Sequence, residues 1–304
     1  MNKKILTAFM AAILTITSIN MATGNPAPAT VAILDTGMNT NLPVFKDKIV
    51  HEVCILEWNS CANGSNFMEG PGAASIPSQV ILRNGFDHGT KMAHASVLTN
   101  PNIKIVFVRI IGHNINGDRQ ITNEDTFVKA LAWVMSNKDR LNIKAVALSQ
   151  GHSNLASGPN YCPSTPNTVN AISALSSADI PVFISAGNTR FTDKVNWPGC
   201  ISQAVTISAT SVTDGPAVYT NYDKNITDMF ALGRLRLMNP SGYLFNEDGT
   251  SVSTQIAAAV YVGLKNKNPG YTKDQILDLM KQKSYPVKSR TIVGMVVSKD
   301  ILNG

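Results

Sequence analysis

From residue 30 onward, short apolar runs alternate with longer stretches whose apolar positions recur every three or four residues. Thr30-Val31-Ala32-Ile33-Leu34 is a continuous apolar run that stops at the polar turn Asp35-Thr36-Gly37, and it reads as a buried strand. Ile103 to Ile110, Ile143 to Leu148, Pro181 to Ser185 and Ala204 to Ser208 read the same way. A helical stretch begins near His88, and Asn123 to Asn137 places Phe127, Leu131 and Val134 on one helical face. Val169 to Ala178, the small-residue-rich Gly249 to Lys265, and Thr272 to Gln282 are further helices. Strands of this length alternating with helices predict the α/β class: a single domain with a mostly parallel β-sheet sandwiched between helices. No repeat and no linker divides it.

The N-terminus departs from this pattern. Lys3 and Lys4 precede an apolar run, Ile5 to Ile19, and the small residues Ala22-Thr23-Gly24 follow. That order is an export signal, and the run is shorter than the roughly 20 residues of a membrane span. Residues 1–24 are expected to be a signal peptide and residues 25–304 the folded domain, exported to a periplasm or secreted. Only Asn25 to Thr30 separate the cleavage region from the strand bearing Asp35, so a folded prodomain is not expected.

Composition narrows the classes further. At 304 residues, 44% hydrophobic and 15% charged, the chain supports a sizeable core and is not a disordered or coiled-coil protein. Losing the signal removes two lysines and no acids, taking the net charge of +6 down to +4. The positive residues are scattered, so nucleic acid is not an expected partner, and no later run is long and apolar enough to make a membrane one. Export permits disulfides, and four cysteines allow three pairings. Cys54–Cys61, closing a local loop, and Cys162–Cys200, tying two Gly/Pro-rich loops, are the favoured pairs. No pair has the short C-x-x-C spacing of a zinc site, and His51, His113 and His152 have no metal-ligand spacing. No nucleotide loop, dinucleotide fingerprint or His-Glu-x-x-His motif is present, so no cofactor is expected.

In an open parallel sheet, sites form at the carboxyl ends of the strands. Asp35-Thr36-Gly37, Ser149-Gln150-Gly151 and Ser185-Ala186-Gly187-Asn188 fall there. Ser251 opens the long helix, where free backbone N–H groups and the helix dipole favour negative charge. A hydroxyl nucleophile beside oxyanion donors is what acyl transfer needs.

Val31-Ala32-Ile33-Leu34-Asp35-Thr36-Gly37, Asp87-His88-Gly89-Thr90, Ile184-Ser185-Ala186-Gly187-Asn188 and Gly249-Thr250-Ser251-Val252-Ser253 follow one another along the chain. Together they resemble the subtilisin-like serine peptidases, the subtilase family, in residue type, order and structural context. The likeness runs from about Val31 to the end. It implies a subtilisin-like fold and an exported serine endopeptidase acting on polypeptides, expected to be monomeric, with catalytic Asp35, His88 and Ser251. Ser251 would attack the carbonyl, His88 would take its proton, and Asp35 would hold the imidazole tautomer. Asn188 would donate to the oxyanion, and Ser149, Gln150 and Gly151 would bind substrate. Calcium commonly stabilises the family, but no site for it is placed here.

Several positions depart from the family pattern. Gln255 stands where a proline usually follows the serine, Lys91 where a second histidine is common, Gln150 where leucine is usual, and Leu232 where the usual Ala-Pro-Gly turn has proline. Such departures leave open a catalytically impaired homologue that acts as a peptide-binding protein. Other enzyme classes fit less well. A pepsin-like aspartic peptidase needs a second Asp-Thr-Gly, and an α/β-hydrolase needs Gly-x-Ser-x-Gly with the serine first. Neither is present.

Overall fold

The apolar run at the start of the chain forms β1 (Thr30–Asp35), buried along its whole length near the middle of a ten-stranded sheet. This computed structural model describes residues 27–303 apart from Asn84, Ile121, Thr122, Asn154, Ala156, Ser157 and Pro159. The expected signal peptide lies outside the described residues. The other strands are β2 (Ile49–Ile55), β3 (Phe67–Glu69), β4 (Lys104–Arg109), β5 (Ile143–Leu148), β6 (Val182–Ser185), β7 (Val205–Thr210) and β8 (Thr227–Leu232). A separate antiparallel hairpin follows, β9 (Arg234–Met238) with β10 (Leu244–Asp248), and then β11 (Tyr285–Pro286) and β12 (Met295–Val297). Across the large sheet the order is β11-β12-β8-β7-β6-β5-β1-β4-β2-β3. Pairing is parallel from β12 to β2 and antiparallel only at the two edges.

Strand pleating divides the apolar residues between two cores. Val31 and Ile33 face one side of β1 with Phe107, Ala145 and Phe183, whereas Ala32 and Leu34 face the other with Val106, Val108, Val146 and Ile184. The first side is covered by α2 (His88–Thr99), α5 (Thr250–Lys267) and α6 (Lys273–Lys283), the second by α3 (Glu124–Asn137) and α4 (Pro166–Ser177). A short α1 (Ser78–Ile81) precedes α2. The stretch Ala257-Ala258-Ala259 lets α5 lie close against the sheet, and it is buried on nearly every side. Among the described residues no helix is long and apolar enough to cross a membrane.

The predicted strands and helices appear close to their expected bounds, with differences that have local causes. Asn123, read as the first helical residue, is instead the N-cap of α3; its side chain accepts the Thr126 N–H at 2.8 Å. Helix α4 starts earlier than Val169 because Pro166 suits the first helical position, where no N–H is needed. Strands β2 and β3 and the elements from β8 to β10 were not expected as strands. β9 carries a visible period-two signal, Arg234-Leu235-Arg236-Leu237, whose Leu237 packs into the core beneath α5.

A buried arginine joins β4 to the loops that follow β2 and β3. Arg109, fully buried, donates to the carbonyls of Ile111 (3.2 Å), Ser60 (2.9 Å) and Ser75 (3.0 Å). Burial lowers its pKa to about 10. The same loop holds the Cys54–Cys61 bond (2.05 Å), and Cys162–Cys200 (1.98 Å) links the segment before α4 to that before β7. The two close loops of different length, with sequence separations of 7 and 38. Chain entropy then assigns about 2.5 kcal/mol to the first bond and about 4 kcal/mol to the second. Replacing each pair by serine and measuring urea unfolding is expected to show the larger loss for Cys162–Cys200.

Candidate active site

At the carboxyl end of β1 the Asp35 side chain is fully buried, and a carboxylate taken out of water needs donors. Its Oδ1 accepts from the Thr36 N–H (2.7 Å), from His88 Nδ1 (2.8 Å) and from Gln150 Nε2 (3.0 Å). Its Oδ2 is buried with no hydrogen-bond partner among the described residues. Donation from Nδ1 to a carboxylate leaves the other imidazole nitrogen, Nε2, with its lone pair free in the neutral ring.

Local sequence puts His88 there. Thr36 Oγ1 donates to the Phe86 carbonyl (2.9 Å) and accepts the Gly89 N–H (3.0 Å), tying the β1 turn to the first turn of α2. A Cβ on Gly89 would lie 2.4 Å from the Gly37 carbonyl oxygen, so only glycine permits this approach. Asp87, next to His88 in sequence, turns away and pairs with Lys91 at 2.7 Å. Lys91 also reaches Glu247 on β10 at 2.9 Å, anchoring the hairpin to α2. Burial pulls the Lys91 pKa down, but the bonds and charges of Asp87 and Glu247 outweigh it and hold it above the ordinary 10.5.

Ser251 lies in the first turn of α5. Ahead of it, the Thr250 N–H and Oγ1 both donate to Asn188 Oδ1 at 2.9 Å, and the Gly187 N–H donates to Thr250 Oγ1 at 3.1 Å. With Oδ1 committed, the exposed Asn188 side chain has Nδ2 left to offer the cleft. The Ser251 N–H belongs to the turn whose N–H groups lack intrahelical partners. Ser251 Oγ donates to the Ser149 carbonyl in a long bond of 3.4 Å and is not hydrogen-bonded to His88.

Ser149 and Gln150, at the end of β5, bridge the two halves. Ser149 touches Ser251 through its carbonyl, and its Oγ donates back to the Ser251 carbonyl at 3.3 Å. The Gln150 amide lies against both Asp35 and His88, 3.1 Å from His88 Nδ1. Below them Gln255 is fully buried; its Oε1 accepts from Ser96 Oγ on α2 and its Nε2 donates to Ser149 Oγ, both at 3.0 Å. One amide thus joins α2, α5 and the end of β5. A cleft of about 460 Å³ opens beside Ser251, walled by Ser149, Gln150 and Gly151 on one side and Ser185, Gly187 and Asn188 on the other.

Across the whole of this architecture, residues 28–296 match the family model described as the Subtilase family. The chain belongs to the subtilase family. It is 23% identical over 233 residues to alkaline elastase YaB of Bacillus sp. (strain YaB), covering 73% of this chain and 56% of that protein. It is 22% identical over 234 residues to Subtilisin Savinase of Lederbergia lenta, covering 73% and 79%. The chain thus spans a little over half the length of some of the curated relatives it matches. Among solved structures, a protease of Pseudoalteromonas arctica PAMC 21717 superposes with a TM-score of 0.72 at 21% identity, covering 92% of this chain and 90% of that one. The fold is therefore the subtilisin-like one.

Within this subtilase the residues singled out from the sequence gather as two contacts and one bridge: Asp35 with His88, Asn188 with the first turn of Ser251's helix, and Ser149-Gln150 between them. Sequence reasoning missed Arg119, whose guanidinium reaches into the cleft from the loop after β4, and missed Lys91 and Gln255 as cross-links. A large amide directly before the apolar run Ile256 to Val262 of a buried helix, as at Gln255, is the signal that could have found the last. Among the described residues no three His, Cys, Asp or Glu side chains converge as metal ligands would.

Two outcomes follow for these cross-links. Gln255→Leu leaves the buried Ser96 hydroxyl without its Gln255 acceptor and takes one of two bonds from the Ser149 hydroxyl, and is expected to lower unfolding free energy by about 1–3 kcal/mol in urea melts. The Lys91 contribution, with its folded pKa raised, is full below the ordinary 10.5 and lost as pH rises through the higher folded value. Thermal melts should show the parent losing stability above that pH more steeply than Lys91→Met.

Proposed function

We propose that the chain is an exported serine endopeptidase that hydrolyses polypeptides through Asp35, His88 and Ser251, with Asn188 as an oxyanion donor. The observation that carries this reading is the 2.8 Å bond from His88 Nδ1 to a fully buried Asp35, with a serine at a helix N-terminus across the Ser149-Gln150 bridge. The named proteases among the relatives support polypeptides as the substrate class. Two cysteine pairs at bonding distance and the signal-like N-terminus support export.

Chemically, Asp35 holds the Nδ1–H, so His88 Nε2 is the base. Ser251 Oγ turns from the Ser149 carbonyl, gives its proton to Nε2 and bonds to the scissile carbon. The carbonyl electron pair moves to oxygen, where Asn188 Nδ2 and the Ser251 N–H donate to the oxyanion. Collapse expels the amine, which takes the proton from His88, and leaves an acyl-enzyme on Ser251 Oγ. Water, deprotonated by the same imidazole, attacks the acyl carbon; the bond to Ser251 Oγ breaks, Oγ takes the proton back from His88, and the acid leaves. The long Ser251 bond to Ser149 is the ground-state arrangement; catalytic hydrogen bonds commonly tighten only when substrate is bound.

The same bond, with Gln255 in the proline position, favours a second reading in which the cleft binds peptide without cutting it. Incubating residues 25–304 with a peptide library and a fluorophosphonate separates the two. Hydrolysis and labelling that vanish in Ser251→Ala are expected, with Asn188→Ala losing about 100- to 1,000-fold in turnover, as when one oxyanion donor is removed from a subtilisin. Neither hydrolysis nor labelling by the parent would leave the binding reading.

A further inference from the structure

Among the described residues lining the cleft beside Ser251, Arg119 alone carries a charge. Its backbone is fixed. Arg119 pairs with His113 across a tight turn, in which Asn114 Oδ1 accepts the N–H groups of Asn116 (2.9 Å) and Asp118 (2.8 Å). One of its five donors goes to Gln150 Oε1, and among the described residues no carboxylate pairs with the guanidinium. Nearby acids are engaged elsewhere. Asp118 takes Asn114 Nδ2 at 2.8 Å, and Glu57 takes Gln120 Nε2 at 3.0 Å and Asn123 Nδ2. Asp35, the other negative charge at this end of the cleft, lies behind the Gln150 amide with its Oδ1 already accepting three donors.

The contact with Gln150 also orients that amide. A cation on Oε1 forces Nε2 toward Asp35, where a flipped amide would set oxygen against carboxylate. Burial lowers the Arg119 pKa and the Asp35 charge raises it in part. A partly desolvated guanidinium with donors to spare, walling a peptide cleft, is built to meet a carboxylate. We propose that Arg119 is a specificity-determining residue that selects polypeptides carrying an aspartate or glutamate side chain close to the scissile bond. This rests on reading the cleft as the substrate site, and it names the substrate class that site prefers.

The test uses quenched fluorescent peptides identical except for Glu or Gln at one of the four positions on either side of the cleaved bond. With the parent protein, Glu is expected to exceed Gln by about 10- to 100-fold in kcat/KM at one of those positions. The ratio should shrink as salt rises from about 0.01 M to about 1 M. It should persist in Arg119→Lys and fall to near one or below in Arg119→Gln and Arg119→Glu. Equal cleavage of Glu and Gln peptides at every position scanned, or a preference undiminished in Arg119→Gln, overturns the proposal. A second arm measures binding of the same peptides to Ser251→Ala by calorimetry. If the parent cleaves nothing, the hydrolytic reading fails on its own, and the binding arm still decides. Tighter binding of a Glu peptide supports the Arg119 subsite, and equal binding refutes it.

Discussion

One buried charge organises this molecule. The Asp35 carboxylate sits at the end of the central strand with no solvent around it, and a charge in that position is tolerated only where donors converge on it. Those donors come from its own turn, from the first residue of α2 and from the end of β5, which are segments far apart in the chain. Holding the carboxylate therefore fixes the imidazole, the Gln150 amide and, through the neighbouring Ser149, the segment that touches Ser251. The donors that compensate the charge are also the groups that define the site.

Backbone proximity makes that convergence feasible. Gly89 lets α2 approach the β1 turn within the radius of a missing side chain, and the alanines of α5 let the serine-bearing helix lie against the sheet. Polar cross-links then set the remaining freedom. Gln255 spans α2, α5 and Ser149, and Lys91 ties α2 to the hairpin that leads into α5. Where the family pattern has proline after the serine, this chain has a side chain that bonds at both ends, so local order at the serine comes from a buried hydrogen-bonded amide rather than from a constrained ring.

Much of the fold was legible because burial on both faces leaves continuous apolar runs, as in Val31–Leu34 and Ile143–Leu148, and because helices α3 and α5 keep a clear period or composition. β2 escaped because the half-buried His51 and the buried Glu52 interrupt its apolar run, and β11 and β12 because strands of two or three residues carry no period at all. Asp35, His88, Asn188 and Ser251 were legible as motifs, since strand ends and helix starts write themselves in short polar clusters. Arg119 lies in a loop with no periodicity, and nothing in its neighbours marks where its side chain points.

The order of elements, the parallel sheet and the residue types of the site were determined by the chain's own pattern of apolar runs and polar turns, because each is a property of contiguous residues. The partners were decided only by tertiary structure: the Arg119 contact to Gln150, the Gln255 bridge, and the Ser251 hydroxyl resting on Ser149. Each joins residues dozens of positions apart, and hydrogen bonds depend on distances and angles that packing sets after the strands have found their register.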